Sequence, residues 1–93
     1  MEVLIEETAT KGKAYVGDPQ NPDAEMTFSK AGKSLLIIDH TEVQASLKGH
    51  GAGRQLLNAI VEKARVDKVK ILPLCPYAKS VFDKDPSLSD VLR

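Results

Sequence analysis

Apolar positions recur with a period of two along the first half of the chain and with a helical period along the second. Residues 2–7 form a short run rich in apolar side chains, Lys11-Gly12-Lys13 breaks it, and Ala14-Tyr15-Val16 resumes it. Asp18-Pro19-Gln20-Asn21-Pro22-Asp23 concentrates turn-forming residues. Ala24, Met26 and Phe28 then alternate with Glu25, Thr27 and Ser29, the signature of a strand with one buried face. Ala31-Gly32-Lys33 reads as a hairpin connection. The nearly continuous apolar run over 34–41 predicts a central strand covered on both faces.

Beyond Ala52 the period changes. Leu56, Leu57, Ile60, Val61 and Ala64 fall on one stripe of an amphipathic helix over 52–65. Lys63, Arg65 and Lys68 crowd the end where the helix dipole is negative. Residues 70–75 predict another strand and 77–83 another helix, and Ser87 offers an N-cap for a last turn. The order is β-β-β-β-α-β-α: an antiparallel four-stranded meander, a helix, a fifth strand parallel to the fourth, and a C-terminal helix. This α+β reading treats residues 1–93 as one domain, as the length implies.

Composition narrows the function classes. One cysteine among 93 residues excludes an internal disulfide framework and a multi-cysteine zinc site, so no metal site is expected. Aromatic residues total 4%, leaving no stacking platform for single-stranded nucleic acid. The net charge of zero conceals a split. Residues 1–47 carry eight acids and four bases, whereas residues 48–93 carry five acids and nine bases. The basic half favours a small anion but falls short of the surplus that a nucleic-acid partner needs. The N-terminal segment lacks a basic, apolar leader pattern, and no apolar run is long enough for a membrane span. A cytoplasmic location without membrane partners is the expectation.

Lys48-Gly49-His50-Gly51-Ala52-Gly53-Arg54 lies between a predicted strand and a predicted helix. Alternate glycines free successive amides to point at a ligand, and the helix N-terminus adds its positive pole. This is not the dinucleotide fingerprint, which requires G-x-G-x-x-G inside a parallel β-α-β unit. Gly32-Lys33-Ser34 does not complete a Walker-type loop, because Thr27 occupies the place of the earlier glycine.

Val43-Gln44-Ala45-Ser46-Leu47 leading into this loop, with Leu56-Leu57 after it, resembles motif A of the GNAT superfamily of N-acetyltransferases. The very small single-domain YjdJ-type members are the most similar, for there a His-Thr pair precedes the loop and a Cys-x-Tyr segment follows the next strand. His40-Thr41 and Cys75-Pro76-Tyr77 stand at those places. The resemblance implies acetyl-CoA as cosubstrate, an amine acceptor, and a pyrophosphate held by the amides of 49–54. It also implies a pantetheine arm paired like an extra strand with the backbone near Thr41 and Val43. Lys48, Gly49, His50, Gly51, Ala52, Gly53 and Arg54 join Thr41 and Val43 as the expected cofactor-binding set. Departures from the family pattern are Lys48 for Arg or Gln, Ala45 for Pro, Leu47 for an aromatic residue, and Phe82 where the family's general-acid tyrosine stands. The two helices that larger members insert after the first strand have no counterpart.

Three residues are candidates for the chemistry. His40, placed by strand alternation on the face of Leu36 and Ile38, is a candidate general base. Cys75 is either an acetyl-accepting nucleophile, with His40 as its base across the strand gap, or a wall of the thioester channel. Tyr77 is a substitute proton donor for the departing thiolate. Pro73 removes a ladder donor and either marks an edge strand or lets the fourth and fifth strands splay. A CoA or acyl-CoA binding module without turnover is the alternative to an N-acetyltransferase.

Overall fold

Alternation in the first half folds into a meander, and the helical stripe of the second half packs across it. The computed structural model describes residues 1–93. In chain order the elements are β1 (Leu4–Glu7), β2 (Lys11–Asp18), β3 (Asn21–Ala31), β4 (Leu35–Val43), α1 (Ala52–Asp67), β5 (Lys70–Pro73) and α2 (Pro76–Lys84). Single 3-10 turns occupy Ala45–Leu47 and Pro86–Leu88. The strands lie side by side in chain order, antiparallel from β1 to β4, with β5 parallel to β4.

Lys11-Gly12-Lys13 does not break the sheet. It belongs to β2 and pairs with both β1 and β3. Gly12 is there for space, because a Cβ on it would come 2.4 Å from the Phe28 ring. The turn between β2 and β3 is also tighter than the sequence implies. Only Pro19 and Gln20 lie outside the strands, and the Asp18 carboxylate accepts from the Gln20 amide at 2.9 Å.

The core occupies one face of the sheet. Ala14, Ala24, Met26, Phe28, Leu36, Ile38 and Ile71 meet Leu56, Leu57, Ile60, Val61 and Ala64 of α1 and Ala78 and Phe82 of α2 in one apolar cluster. Each large aliphatic side chain there contributes roughly 1.5–3 kcal/mol over an exposed position. The other face is open. Leu36 and Ile38 are buried, but Leu35 and Ile37 are only half-buried, so β4 is covered on one side and not two.

A bulge decides which residues of β4 face the core. Phe28 pairs with Ile38, but the next residue back, Thr27, pairs with His40. Asp39 is the extra residue, and its carboxylate accepts from the Ser29 hydroxyl at 2.7 Å. One inserted residue inverts every side chain beyond it. His40 therefore shares the open face with Thr27, not the core face with Leu36 and Ile38, and Thr41 takes the core face opposite Met26.

The ends of α1 and α2 follow local rules. α1 runs two residues past Arg65 and closes at Lys68, whose left-handed conformation (φ 58°) accompanies a Val69 amide bond to the Ala64 carbonyl. Pro76 opens α2, where a missing amide costs nothing. Ser87 is not the cap of the last turn. Asp85 is, accepting from the Ser87 amide at 3.0 Å and the Ser87 hydroxyl at 2.6 Å.

Candidate functional site

Pairing between β4 and β5 covers only Leu35–Ile38 against Lys70–Pro73. The amides of Leu74 and Cys75 both turn onto the Ile38 carbonyl, each at 3.1 Å, and the chain then leaves as α2. Residues 39–43 of β4 consequently have β3 on one side and no strand on the other. Pro73 stands at the last paired position, where it ends the ladder. The sheet opens into a split at that point.

The glycine loop lies at the mouth of this split. Gly49 (φ 83°) and Gly51 (φ 74°) are both in the left-handed region, and Gly51 caps α1. A Cβ on either would meet nothing within 4 Å, so these glycines supply conformation and leave open space. The amides of Gly49, Gly51, Ala52, Gly53 and Arg54 donate to no acceptor in the chain. The His50 amide is different: it donates to the Leu47 carbonyl at 3.2 Å, which closes the loop on itself. Five unpartnered amides thus stand at and just before the start of a 16-residue helix, the arrangement of donors that suits an anion.

Gly53 has a further reason. A Cβ there would come 3.0 Å from the Cε2 and Cζ atoms of Tyr77. The start of α1 and the start of α2 touch at this point, with no room for a side chain between them. The two sequence candidates are thereby joined, with Tyr77 packed against Gly53 and lining the same cleft as Thr41.

Thr41, Val43, Leu47, Lys48, Gly49, Gly51, Ala52, Gly53 and Tyr77 line one cleft of about 260 Å³. Seven of the nine are expected cofactor-binding residues, and Tyr77 is a candidate catalyst. His50 and Arg54 are outside the lining. The Arg54 guanidinium donates to Asp85 at 2.5 Å and to the Asn58 side chain at 2.9 Å. Its charge is thus committed to a strut between α1 and the turn after α2. The Ser87 hydroxyl and then Arg54 hold the Asp85 carboxyl well below the usual carboxylate range, at about 2. A larger concavity, about 470 Å³, lies elsewhere, its lining including Lys13, Thr27 and Asp39.

The candidate catalysts do not meet as the sequence implies. Cys75 is buried, and its sulfur lies 3.1 Å from the Thr41 hydroxyl. His40 is on the other face, its side chain 65% exposed and its Nε2 3.8 Å from Glu42. The bulge at Asp39 separates the two, so no His40–Cys75 pair forms. Partial burial raises the Tyr77 phenol above its ordinary pKa. Phe82 is buried in the core, where it fills space between α2 and its neighbours.

Sequence reasoning missed the Thr41 side chain and Asp85. A strand bulge leaves no compositional mark, so the inversion at position 41 was not legible. Asp85 was: an Asp two residues before Ser87, with Pro86 between them, is a capping signature.

The fold and cleft together define an α+β domain with a sheet that splits beside a helix N-terminus. Residues 13–91 match the model of the GCN5-related N-acetyl-transferase family, and the chain belongs to that family. It is similar to a GCN5-like candidate N-acetyltransferase from Staphylococcus aureus. Identity is 37%, with 97% of this chain and 87% of that one covered and a TM-score of 0.76. A ribosomal-protein-alanine N-acetyltransferase from Brucella melitensis biovar Abortus shares the fold at 15% identity. The match covers 83% of this chain and 62% of that one, with a TM-score of 0.67, so this chain spans less than two thirds of it. The comparison with curated proteins returns no match. No helix is long and apolar enough to cross a membrane.

Proposed function

We propose that residues 1–93 act as one minimal N-acetyltransferase domain that transfers the acetyl group of acetyl-CoA to an amine. The observation that carries this reading is the single cleft joining the unpaired edge of β4 to the unpartnered amides of the glycine loop. The pyrophosphate takes the amides of Gly49, Gly51, Ala52, Gly53 and Arg54, with Lys48 beside them. The pantetheine arm adds to β4 at Thr41 and Val43 by β-addition. Each part of this fit is supported by groups without a partner in the chain.

The chemistry then needs few residues. An amine enters from the open face of the sheet, where His40 accepts its proton directly or through a water. The C–N bond forms at the thioester carbonyl carbon and the C–S bond breaks. Tyr77 gives its phenolic proton to the departing sulfur, the role left open by Phe82. The alternative, a CoA-binding module without turnover, is favoured by that buried Phe82 and by the missing elements that build the acceptor pocket in larger members. Calorimetry with CoA and acetyl-CoA tests the binding half of the proposal. An acceptor screen that follows free thiol release tests the rest. Binding without thiol release from any amine selects the module, and no binding removes both readings.

A further inference from the structure

The contact between Thr41 and Cys75 is the one polar contact of either side chain, and it sits at the end of the cleft away from the phosphate loop. β4 runs from Thr41 through Val43 toward the loop, so a ligand whose phosphates lie on the loop amides has its far end at Thr41. Thr41 lines the cleft and Cys75 does not. Thr41 thus touches both the cleft and the buried Cys75 sulfur.

The hydrogen-bond inventory fixes what such a hydroxyl can do. Threonine has one proton and two acceptor lone pairs, and a thiol has one weak donor proton on a poorly accepting sulfur. The stronger acceptor of the two is the hydroxyl oxygen. Either atom can donate across the 3.1 Å contact; the better-accepting oxygen favours the arrangement in which the Cys75 S–H donates to Thr41 Oγ1. In that arrangement the Thr41 proton is not used by Cys75 and is free to donate to a group in the cleft. Cys75 cannot drift, because its amide is bonded to the Ile38 carbonyl at 3.1 Å and its side chain is 4% exposed. The bulge at Asp39 is the cause of the whole arrangement, since without it position 41 faces the open side.

We propose that the Thr41 hydroxyl donates to the carbonyl oxygen of the bound thioester, and that Cys75 is the positioning residue that aims it. This deepens the acetyl-transfer reading and rests on it. As the amine attacks, negative charge gathers on that oxygen and the hydrogen bond strengthens, so the donor acts more on the transition state than on the ground state. No proton changes hands at Thr41. The hydroxyl keeps its proton while the C–N bond forms and the C–S bond breaks.

The test reads the carbonyl directly and needs no acceptor. Acetyl-CoA labelled with a heavy isotope at the thioester carbonyl is bound to the full chain, and its infrared band is recorded by difference. A donated hydrogen bond weakens the C=O bond and lowers the band relative to free acetyl-CoA. Thr41→Val should abolish that shift with affinity for acetyl-CoA largely kept, and Thr41→Ser should restore it. Cys75→Ala should leave a broader, partly shifted band, because the hydroxyl is present but no longer aimed. With an acceptor in hand, Thr41→Val should lower kcat on the order of 10²-fold with KM little changed, the scale for one lost oxyanion donor. An identical band in the wild-type protein and Thr41→Val overturns the role of Thr41 while leaving the acetyl-CoA site intact. An unchanged, narrow band in Cys75→Ala overturns the positioning role. Failure of the wild-type chain to bind acetyl-CoA in calorimetry overturns the site itself and this inference with it.

Discussion

Tyr77 lies against the α-carbon of Gly53, so close that an added methyl group would stand 3.0 Å from the ring. The contact links the first turn of α1, which offers its amides, to the first turn of α2, which offers the phenol. One glycine thereby sets how closely the Tyr77 ring approaches the first turn of α1.

Gly53→Ala should displace the Tyr77 ring by a few tenths of an ångström or more and lower affinity for CoA, with the fold intact. Tyr77→Phe keeps the packing and removes only the hydroxyl, so CoA binding should persist while acetyl transfer slows by roughly 10²–10⁴-fold, the range for a general acid. Titration calorimetry and single-turnover rates on the two variants separate the effects. Equal turnover in Tyr77→Phe and the wild-type protein would falsify the proton-donor role.

Gly51→Val should lose CoA binding outright. The valine would force a β-branched residue into the left-handed region at a cost of about 1–2 kcal/mol and place its side chain where the pyrophosphate is proposed to lie. The circular dichroism spectrum should be unchanged, since the position is open and faces no other residue within 4 Å. A folded Gly51→Val that binds CoA as tightly as the wild-type chain means the phosphates lie elsewhere.

Acid should loosen the turn after α2 and α1 together. The Asp85 carboxyl titrates at about 2 in the folded chain, lowered by Ser87 and Arg54, against about 3.9 in an unfolded one. A depressed carboxylate pKa contributes stability that is complete above the unfolded value and is lost as pH falls through the folded one. The loss attributable to this strut therefore falls between about pH 4 and about pH 2. Asp85→Asn should flatten the pH dependence of the melting temperature in that window. Glu7 adds to the same acid sensitivity, because Lys30 and Lys63 lower its pKa from either side. An Asp85→Asn curve parallel to the wild-type curve down to about pH 2 would show that Ser87 and Arg54 do not hold the Asp85 carboxylate in solution.

The periodicity of Leu56, Leu57, Ile60, Val61 and Ala64 sufficed to locate α1 and its buried face, since amphipathic stripes are set by local spacing. The glycine loop was legible for a similar reason: positive φ and exposed amides are written in residue type. What the sequence withheld were the facing of His40 and the length of β2. Both depend on a partner strand. Register against β3 places the bulge at Asp39, and the Phe28 ring explains Gly12 as a packing site and not a break. Period-two alternation carries no information about a single inserted residue, so it puts position 40 on the core face, and adjacency of the β4 and β5 ends does not bring His40 to Cys75 once the bulge turns it away.

Direct transfer and an acetyl-cysteine relay part at Cys75. A relay requires a base that takes the thiol proton, and the only polar side chain bonded to the sulfur is the neutral Thr41 hydroxyl. His40 is on the opposite face of β4 with its imidazole 65% exposed, beside Glu42. A residue so placed can take a proton from an incoming amine but not from a buried thiol. Incubation of the wild-type chain with acetyl-CoA should accordingly leave no stoichiometric acetyl adduct on the protein by intact mass. His40→Ala should lower turnover roughly 10²–10⁴-fold, with CoA affinity unchanged because the loop amides are untouched. A kinetically competent acetyl group on Cys75 would reverse the assignment, making the buried thiol the first acceptor and leaving His40 without a proton to take.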